Sequence, residues 1–276
     1  ACGRGRGVRA PGPTRTGPPA TPGPPAHPPT PEPGASEPAS IPASLPRGLL
    51  LSYSQFQVVD GRATGTPGPA RLELLYRQGG EWRTDVIEDG DSNVFHKALV
   101  FEPRGGAPGI VTLGGTAAAV KLWRRSGGQW SSVTLWQEDF GGRFSRMRDA
   151  EIADLYGDGP ALAVATHDRG VVATIRMGSG GPTVTRLGER PNTFVHEIEI
   201  GDLNGDGVPE VYATPSDPND LDGGEQRVQV MRYDPRGGAT GGTIVADLGS
   251  RHAKEIYVGD VDGDGRDELY VAVEAL

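Results

Sequence analysis

Three times in this chain a short acidic, glycine-rich loop sits between two apolar stretches, and that recurrence constrains the fold more than any other feature. Asp154-Leu155-Tyr156-Gly157-Asp158-Gly159 leads into Ala161-Leu162-Ala163-Val164-Ala165. Asp202-Leu203-Asn204-Gly205-Asp206-Gly207 leads into Glu210-Val211-Tyr212-Ala213. Asp260-Val261-Asp262-Gly263-Asp264-Gly265 leads into Glu268-Leu269-Tyr270-Val271. A degenerate copy runs from His96-Lys97-Ala98-Leu99-Val100 through Glu102-Pro103-Arg104-Gly105-Gly106 to Gly109-Ile110-Val111. A loop that returns at the same place between strands marks a repeat architecture, in which each unit buries its faces against its neighbours.

A second motif alternates with the first. Leu72-Glu73-Leu74-Leu75-Tyr76-Arg77-Gln78-Gly79-Gly80-Glu81-Trp82 is echoed by Val120-Lys121-Leu122-Trp123-Arg124-Arg125-Ser126-Gly127-Gly128-Gln129-Trp130, and weaker copies surround Gly180-Gly181 and Gly237-Gly238. Gly-Gly between alternating strands predicts a hairpin, because the tight primed turns need positive φ. Each unit then reads as strand, polar loop, strand and Gly-Gly hairpin. Four antiparallel strands in about 50 residues is the size of one β-propeller blade. No window carries a sustained helical period, and a two-sheet sandwich would not need the same loop in successive units. The expected fold is therefore all-β, a propeller of four-stranded blades with inner strands starting near residues 96, 148, 196 and 254. Leu49-Leu50-Leu51-Ser52-Tyr53 and the first hairpin form a further partial unit. Either these N-terminal strands complete the last blade, or the sequence is a fragment of a seven-bladed ring.

A compositional border divides the chain at residue 47. Residues 1–47 hold 14 of the 25 prolines and no aromatic residue, and cannot bury enough apolar surface to offset chain entropy. They read as an extended, disordered tether, with residues 48–276 as the propeller. The tether carries five basic and two acidic residues, whereas the remainder carries 22 basic and 34 acidic ones. An acidic body argues against nucleic acid as a partner and suits a protein that gathers cations. The single cysteine, Cys2 in Ala1-Cys2-Gly3, excludes an intrachain disulfide. A cysteine between small residues, followed by a long spacer, resembles the cleavage site of bacterial lipoproteins. That resemblance implies lipidation of Cys2, a place in the bacterial cell envelope outside the cytoplasm, and membrane contact only through the lipid anchor.

In the second and third loops, side-chain oxygens recur at positions 1, 3, 5 and 9, with glycine at position 6 for the sharp turn. Calcium takes six to eight hard oxygen ligands, and this spacing wraps them around one ion. An EF-hand would place its last glutamate at position 12 and exit into a helix; here the chain exits into strands. The loops resemble the FG-GAP/VCBS repeats of integrin-like and bacterial surface propellers. The resemblance implies Ca2+ as cofactor, held by Asp202, Asn204, Asp206 and Glu210 in one loop and by Asp260, Asp262, Asp264 and Glu268 in the other. The Asp154 loop departs from the pattern, with Tyr156 at position 3 and Leu162 at position 9, and the Glu102 copy has lost its ligands.

Aligning the four inner strands places His96, Arg148, His196 and Lys254 in one column, and Lys97, Asp149, Glu197 and Glu255 in the next. Around a common axis these columns would converge, so the candidate catalytic residues are His96, Arg148, His196, Lys254, Glu197 and Glu255. His167, just after a strand, reads as solvated, and His27 falls in the tether. The sequence has no Gly-x-Ser-x-Gly, no second cysteine and no His-Glu-x-x-His. The function expected is a calcium-binding surface module for a glycan or a surface protein. The alternative is a carbohydrate-active enzyme, a polysaccharide lyase or hydrolase, with its site at the mouth of the axial channel.

Overall fold

A computed structural model describes residues 45–141, 145–217, 227–238 and 240–274. Cys2, His27 and nearly all of the proline-rich segment lie outside the described residues. Among the described residues the only helical element is a 3₁₀ turn at Asp168–Gly170. The rest is strand, turn and loop.

Three complete four-stranded antiparallel sheets follow one another along the chain, each in sequence order. The first comprises β6 (Phe95–Phe101), β7 (Gly109–Gly114), β8 (Ala119–Ser126) and β9 (Gln129–Gln137). The second comprises β10 (Met147–Ala153), β11 (Ala161–Thr166), β12 (Val172–Gly178) and β13 (Gly181–Gly188). The third comprises β14 (Phe194–Gly201), β15 (Glu210–Asp217), β16 (Arg227–Tyr233) and β17 (Thr243–Gly249). Before them lie β1 (Gly48–Tyr53), the hairpin β2 (Phe56–Val59) and β3 (Arg62–Pro67), and then β4 (Ala70–Gln78) and β5 (Glu81–Asp89), with β1, β4 and β5 in one sheet. After them comes the pair β18 (Ala253–Gly259) and β19 (Glu268–Val273). These are blade-like sheets of a propeller-type repeat. The packed part of the chain reaches back to Leu45, which is buried with Leu72, Phe95 and Ile110.

Gly-Gly does turn two of the hairpins. Gly79 and Gly80 have φ of 61° and 88°, and Gly127 and Gly128 have 58° and 83°, the left-handed pair that a primed turn requires. The third hairpin turns one residue earlier than expected: Gly178 pairs with Gly181, so Ser179 and Gly180 form the turn. Gly237-Gly238 lies in a longer connection between Tyr233 and Thr243.

The faces between sheets hold the core. Pairings Phe101–Gly109, Ala153–Ala161, Gly201–Glu210 and Gly259–Glu268 align the second strands of successive sheets. Two residues along, Val111, Ala163 and Tyr212 are fully buried against the following sheet. Tyr270, the equivalent residue of β19, is 50% exposed. At the other end of the series Leu49 and Tyr53 of β1 are exposed as well. Among the described strands no ladder joins β18–β19 to the β1–β4–β5 sheet.

The inner strands β6, β10, β14 and β18 each pack against the next, and each carries a register shift near its start: Phe95/Lys97, Met147/Asp149, Val195/Ile198 and Ala253/Glu255. A bulge places two consecutive residues opposite one. Strict alternation would have sent the His96 column and the Lys97 column to opposite faces. The bulge brings members of both columns into one polar cluster.

Candidate metal centre and inner-strand cluster

The loop between β18 and β19 gathers its four acids. One carboxylate oxygen from each of Asp260, Asp262, Asp264 and Glu268 lies within 4.8 Å of the others. That span is about twice a calcium–oxygen bond of ~2.4 Å, so oxygens on opposite sides of one ion would reach it. Backbone amides set the carboxylates: Gly263 N and Gly265 N donate to the two oxygens of Asp260 at 2.7 and 2.9 Å, Asp264 N donates to Asp262 at 3.1 Å, and Arg266 N donates to Asp264 at 2.9 Å. Gly263 and Gly265 have φ of 80° and 88°, a conformation open to glycine without strain. The donors are hard oxygens on a turn that holds them in place, and they fit Ca2+.

Residues 202–271 match the family model of the FG-GAP-like repeat. The match covers both full acidic loops and the strands from β15 to β18, and runs into β19. No curated protein matches the chain significantly. FG-GAP-like repeats generally bind calcium, and the Asp260–Glu268 cluster has the composition to hold an ion.

The other loop of this FG-GAP-like region keeps the turn but not the convergence. Asp206 N donates to Asn204 and Gly207 N to Asp202, as the equivalent amides do in the later loop, and Asp206 N also reaches Asp202. Asn204, however, directs its amide nitrogen to Asp206 Oδ2 at 3.1 Å and Glu210 Oε1 at 2.9 Å. Glu210 is buried, accepts the Tyr212 hydroxyl at 2.8 Å and lies 3.5 Å from Arg232 Nε. Burial pushes the Glu210 carboxyl above its ordinary range. Next to this loop Asp267 accepts Asp202 N at 2.6 Å, which ties the two loops together.

The Asp154 loop is closed by its own backbone. Asp154 Oδ1 accepts Gly157 N at 2.7 Å and Gly159 N at 3.1 Å, and these amides, Gly159 first, hold the carboxyl below its usual range. Tyr156, at the third position, turns its hydroxyl to Thr174 at 2.6 Å and its ring face to Arg176 at 4.2 Å.

Four of the six inner-strand candidates, His96, Arg148, His196 and Glu197, meet. Arg148 spans three sheets, donating from Nη1 to His96 Nδ1 and from Nη2 to His196 Nε2, both at 2.9 Å. Arginine only donates, so both histidines present a lone pair and are neutral. Burial first, and the Arg148 charge second, take His96 down to about 3 and His196 down to about 4. Lys97 pairs with Asp149 at 2.8 Å and with Glu151; these carboxylates outweigh burial and raise the ammonium above its ordinary value. Asp149 Oδ2 also accepts Ile198 N at 3.0 Å, which joins β10 to β14. Glu197 is pushed up to about 8 by burial, with Asp149 and Glu255 adding to it, and so keeps its proton near neutral pH. His196 Nδ1 lies 2.6 Å from Glu197 Oε1 without the alignment of a hydrogen bond. Lys254 and Glu255 stand at the edge: both are exposed and act on His196 through charge, and Lys254 pairs with Glu274 at 3.1 Å.

Two residues of this cluster escaped the sequence reading. Phe194 is buried beneath the histidines, with the His252 ring centre 5.8 Å away. His167 is not solvated: it is 3% exposed and stacks on Phe194 at 4.9 Å. The 3₁₀ turn folds it inward, with Thr166 Oγ1 donating to the Asp168 carbonyl and accepting Val171 N.

Proposed function

We propose that this chain is a calcium-stiffened FG-GAP repeat module that presents a binding face to a glycan or a surface protein, outside the cytoplasm of a bacterium. The observation that carries the metal half is the convergence of Asp260, Asp262, Asp264 and Glu268 within 4.8 Å in a loop of the FG-GAP-like pattern. Four carboxylates at that distance repel one another, and a divalent cation removes the repulsion. Asp260, Asp262, Asp264 and Glu268 would hold the ion, and its role would be to fix the β18–β19 loop. Asp202, Asn204, Asp206 and Glu210 would form a second, weaker site once the Asn204 amide turns its oxygen inward.

Ligand binding restricted to the folded state stabilises it by about 2.7 kcal/mol at a hundredfold excess over the dissociation constant, which for a domain of this size is roughly 5–10 °C in Tm. Thermal unfolding in calcium and in chelator should differ by that amount. Superimposable curves would sink the metal reading. The anchoring reading rests on Cys2 and the proline-rich spacer that follows it. Expressed with a lipoprotein signal, the chain should sediment with membranes, and Cys2→Ser should move it to the soluble fraction; equal partitioning of both forms would leave no role for a lipid.

A further inference from the structure

Between the β6–β9 and β10–β13 sheets the structure has a cleft of about 630 Å³, walled by the loop after β6, the loop after β10, and residues of β8 and β12. Among the described residues its charged lining is Arg104, Arg124, Arg176 and a single aspartate, Asp158. This is a reversal within a body that carries 34 acidic against 22 basic residues from position 48 onward. It falls at the loop that is acidic elsewhere. The pairings Phe101–Gly109 and Gly201–Glu210 place Arg104 at the third loop position, where the later loops carry Asn204 and Asp262.

The three guanidinium groups are positioned and incompletely used. The Arg176 guanidinium carbon lies over the Tyr156 ring, 4.2 Å from its centre, and its carboxylate neighbour Asp158 is 3.5 Å away with both side chains exposed; such a pair is worth little. Arg124 is fixed through Nε by the Ala107 carbonyl at 3.1 Å, and among the described residues neither terminal nitrogen has a hydrogen-bond or ion-pair partner. Arg104 is exposed and lies across Gly159, where an added Cβ would come within 3.0 Å of the arginine's own Cβ. Gly159 has φ of 122°, so glycine serves this position twice, in backbone conformation and in the room it leaves for Arg104.

We propose that this cleft binds an oxyanion, the carboxylate or sulfate group of an acidic ligand, with Arg104, Arg124 and Arg176 as donors. Guanidinium forks match planar carboxylates and sulfate oxygens in paired hydrogen bonds. The volume is that of a small-molecule site, and a positive cleft draws anions to a surface that otherwise repels them. The site goes beyond the calcium reading and does not depend on ions in the acidic loops.

The test is nuclear magnetic resonance on the isotope-labelled full chain, following arginine Nε–H signals. Sodium sulfate and sodium galacturonate are titrated separately, against sodium chloride at matched ionic strength and neutral galactose. The expected result is saturable shifts of the Arg104, Arg124 and Arg176 signals with at least one of the two oxyanions, weakened about tenfold, a loss of ~1.4 kcal/mol, in Arg124→Gln with Arg176→Gln. Saturation by sulfate alone or by galacturonate alone tells which group the cleft takes. Linear shifts equal to those in chloride, or saturation unchanged in a variant with a native melting curve, would overturn the proposal. Arg104→Gln alone, at an exposed position, supplies a second reading should the double variant unfold.

Discussion

The Asp202 and Asp260 loops share a pattern, a turn and a set of amide-to-carboxylate bonds, yet one has drawn its charges inward and the other has not. The difference lies at the third position. In the earlier loop Asn204 places an N–H group between Asp206 and Glu210, where a cation would otherwise sit. In the later loop Asp262 carries no amide N–H group, and four carboxyl groups face one another. The second difference is burial. Glu210 is buried with Tyr212 and Arg232 of its own sheet as partners, while Asp260, Asp262 and Asp264 are exposed. A loop that satisfies itself with protein groups is stable without metal; a loop made only of acids depends on what binds it.

The largest expected effect follows from this asymmetry. Asp262→Ala combined with Asp264→Ala should remove most of the calcium-induced rise in Tm, roughly 5–10 °C. Asp206→Ala should remove a smaller part. In chelator the order should change: the double variant loses the exposed acceptors of Asp264 N and Arg266 N but relieves the repulsion among four carboxylates, which offsets that loss, whereas Asp206→Ala loses the acceptor for Val208 N and Asn204 Nδ2 with less repulsion to relieve. Equal losses of calcium response from the two loops would break the comparison.

Burial gives the next effect. Tyr212 and Tyr270 occupy equivalent positions, one fully buried and one 50% exposed. The Tyr212 hydroxyl donates to Glu210 at 2.8 Å and accepts Leu203 N at 3.1 Å. Tyr212→Phe strands both partners, and leaving buried polar groups unpaired costs about 1–3 kcal/mol. Tyr270→Phe should stay within about 0.5 kcal/mol, the range of ordinary surface changes. Urea unfolding of the two variants in chelator measures the pair. Equal destabilisation would mean that Tyr270 is covered in solution.

The repeat itself was legible because period-two alternation, Gly-Gly turns and acidic loops are all local signals, and the inner strands fell near residues 96, 148, 196 and 254 as expected. What was not legible is non-local. The bulge that brings His196 and Glu197 to one cluster leaves no compositional mark in β14. His167 reads as polar and loop-like, and only the turn through Thr166 and Val171 shows that it is folded under Phe194. Lys254 shares a sequence column with Arg148, yet it pairs with Glu274, twenty residues on, and acts on His196 through its charge alone. The third loop position was legible as a ligand, but the sequence does not tell which way an asparagine amide points.

That position supplies the smallest and most specific test. Asn204→Asp gives the earlier loop the ligand types of the later one and removes the side-chain donor that lies between Asp206 and Glu210. Without calcium the carboxylates of Asp206 and Glu210 lose the amide between them and gain a third negative neighbour, so Tm in chelator should fall. With calcium the added charge should tighten binding, since affinity in oxygen-ligand loops follows the number of charged ligands. A tenfold gain corresponds to about 1.4 kcal/mol, seen as a calcium-induced rise in Tm larger by roughly 3–6 °C. The reverse change, Asp262→Asn, should lower the calcium response and raise Tm in chelator. If Asn204→Asp leaves both melting temperatures where they were, the amide is not standing in for a cation, and burial of Glu210 alone must account for the difference between the loops.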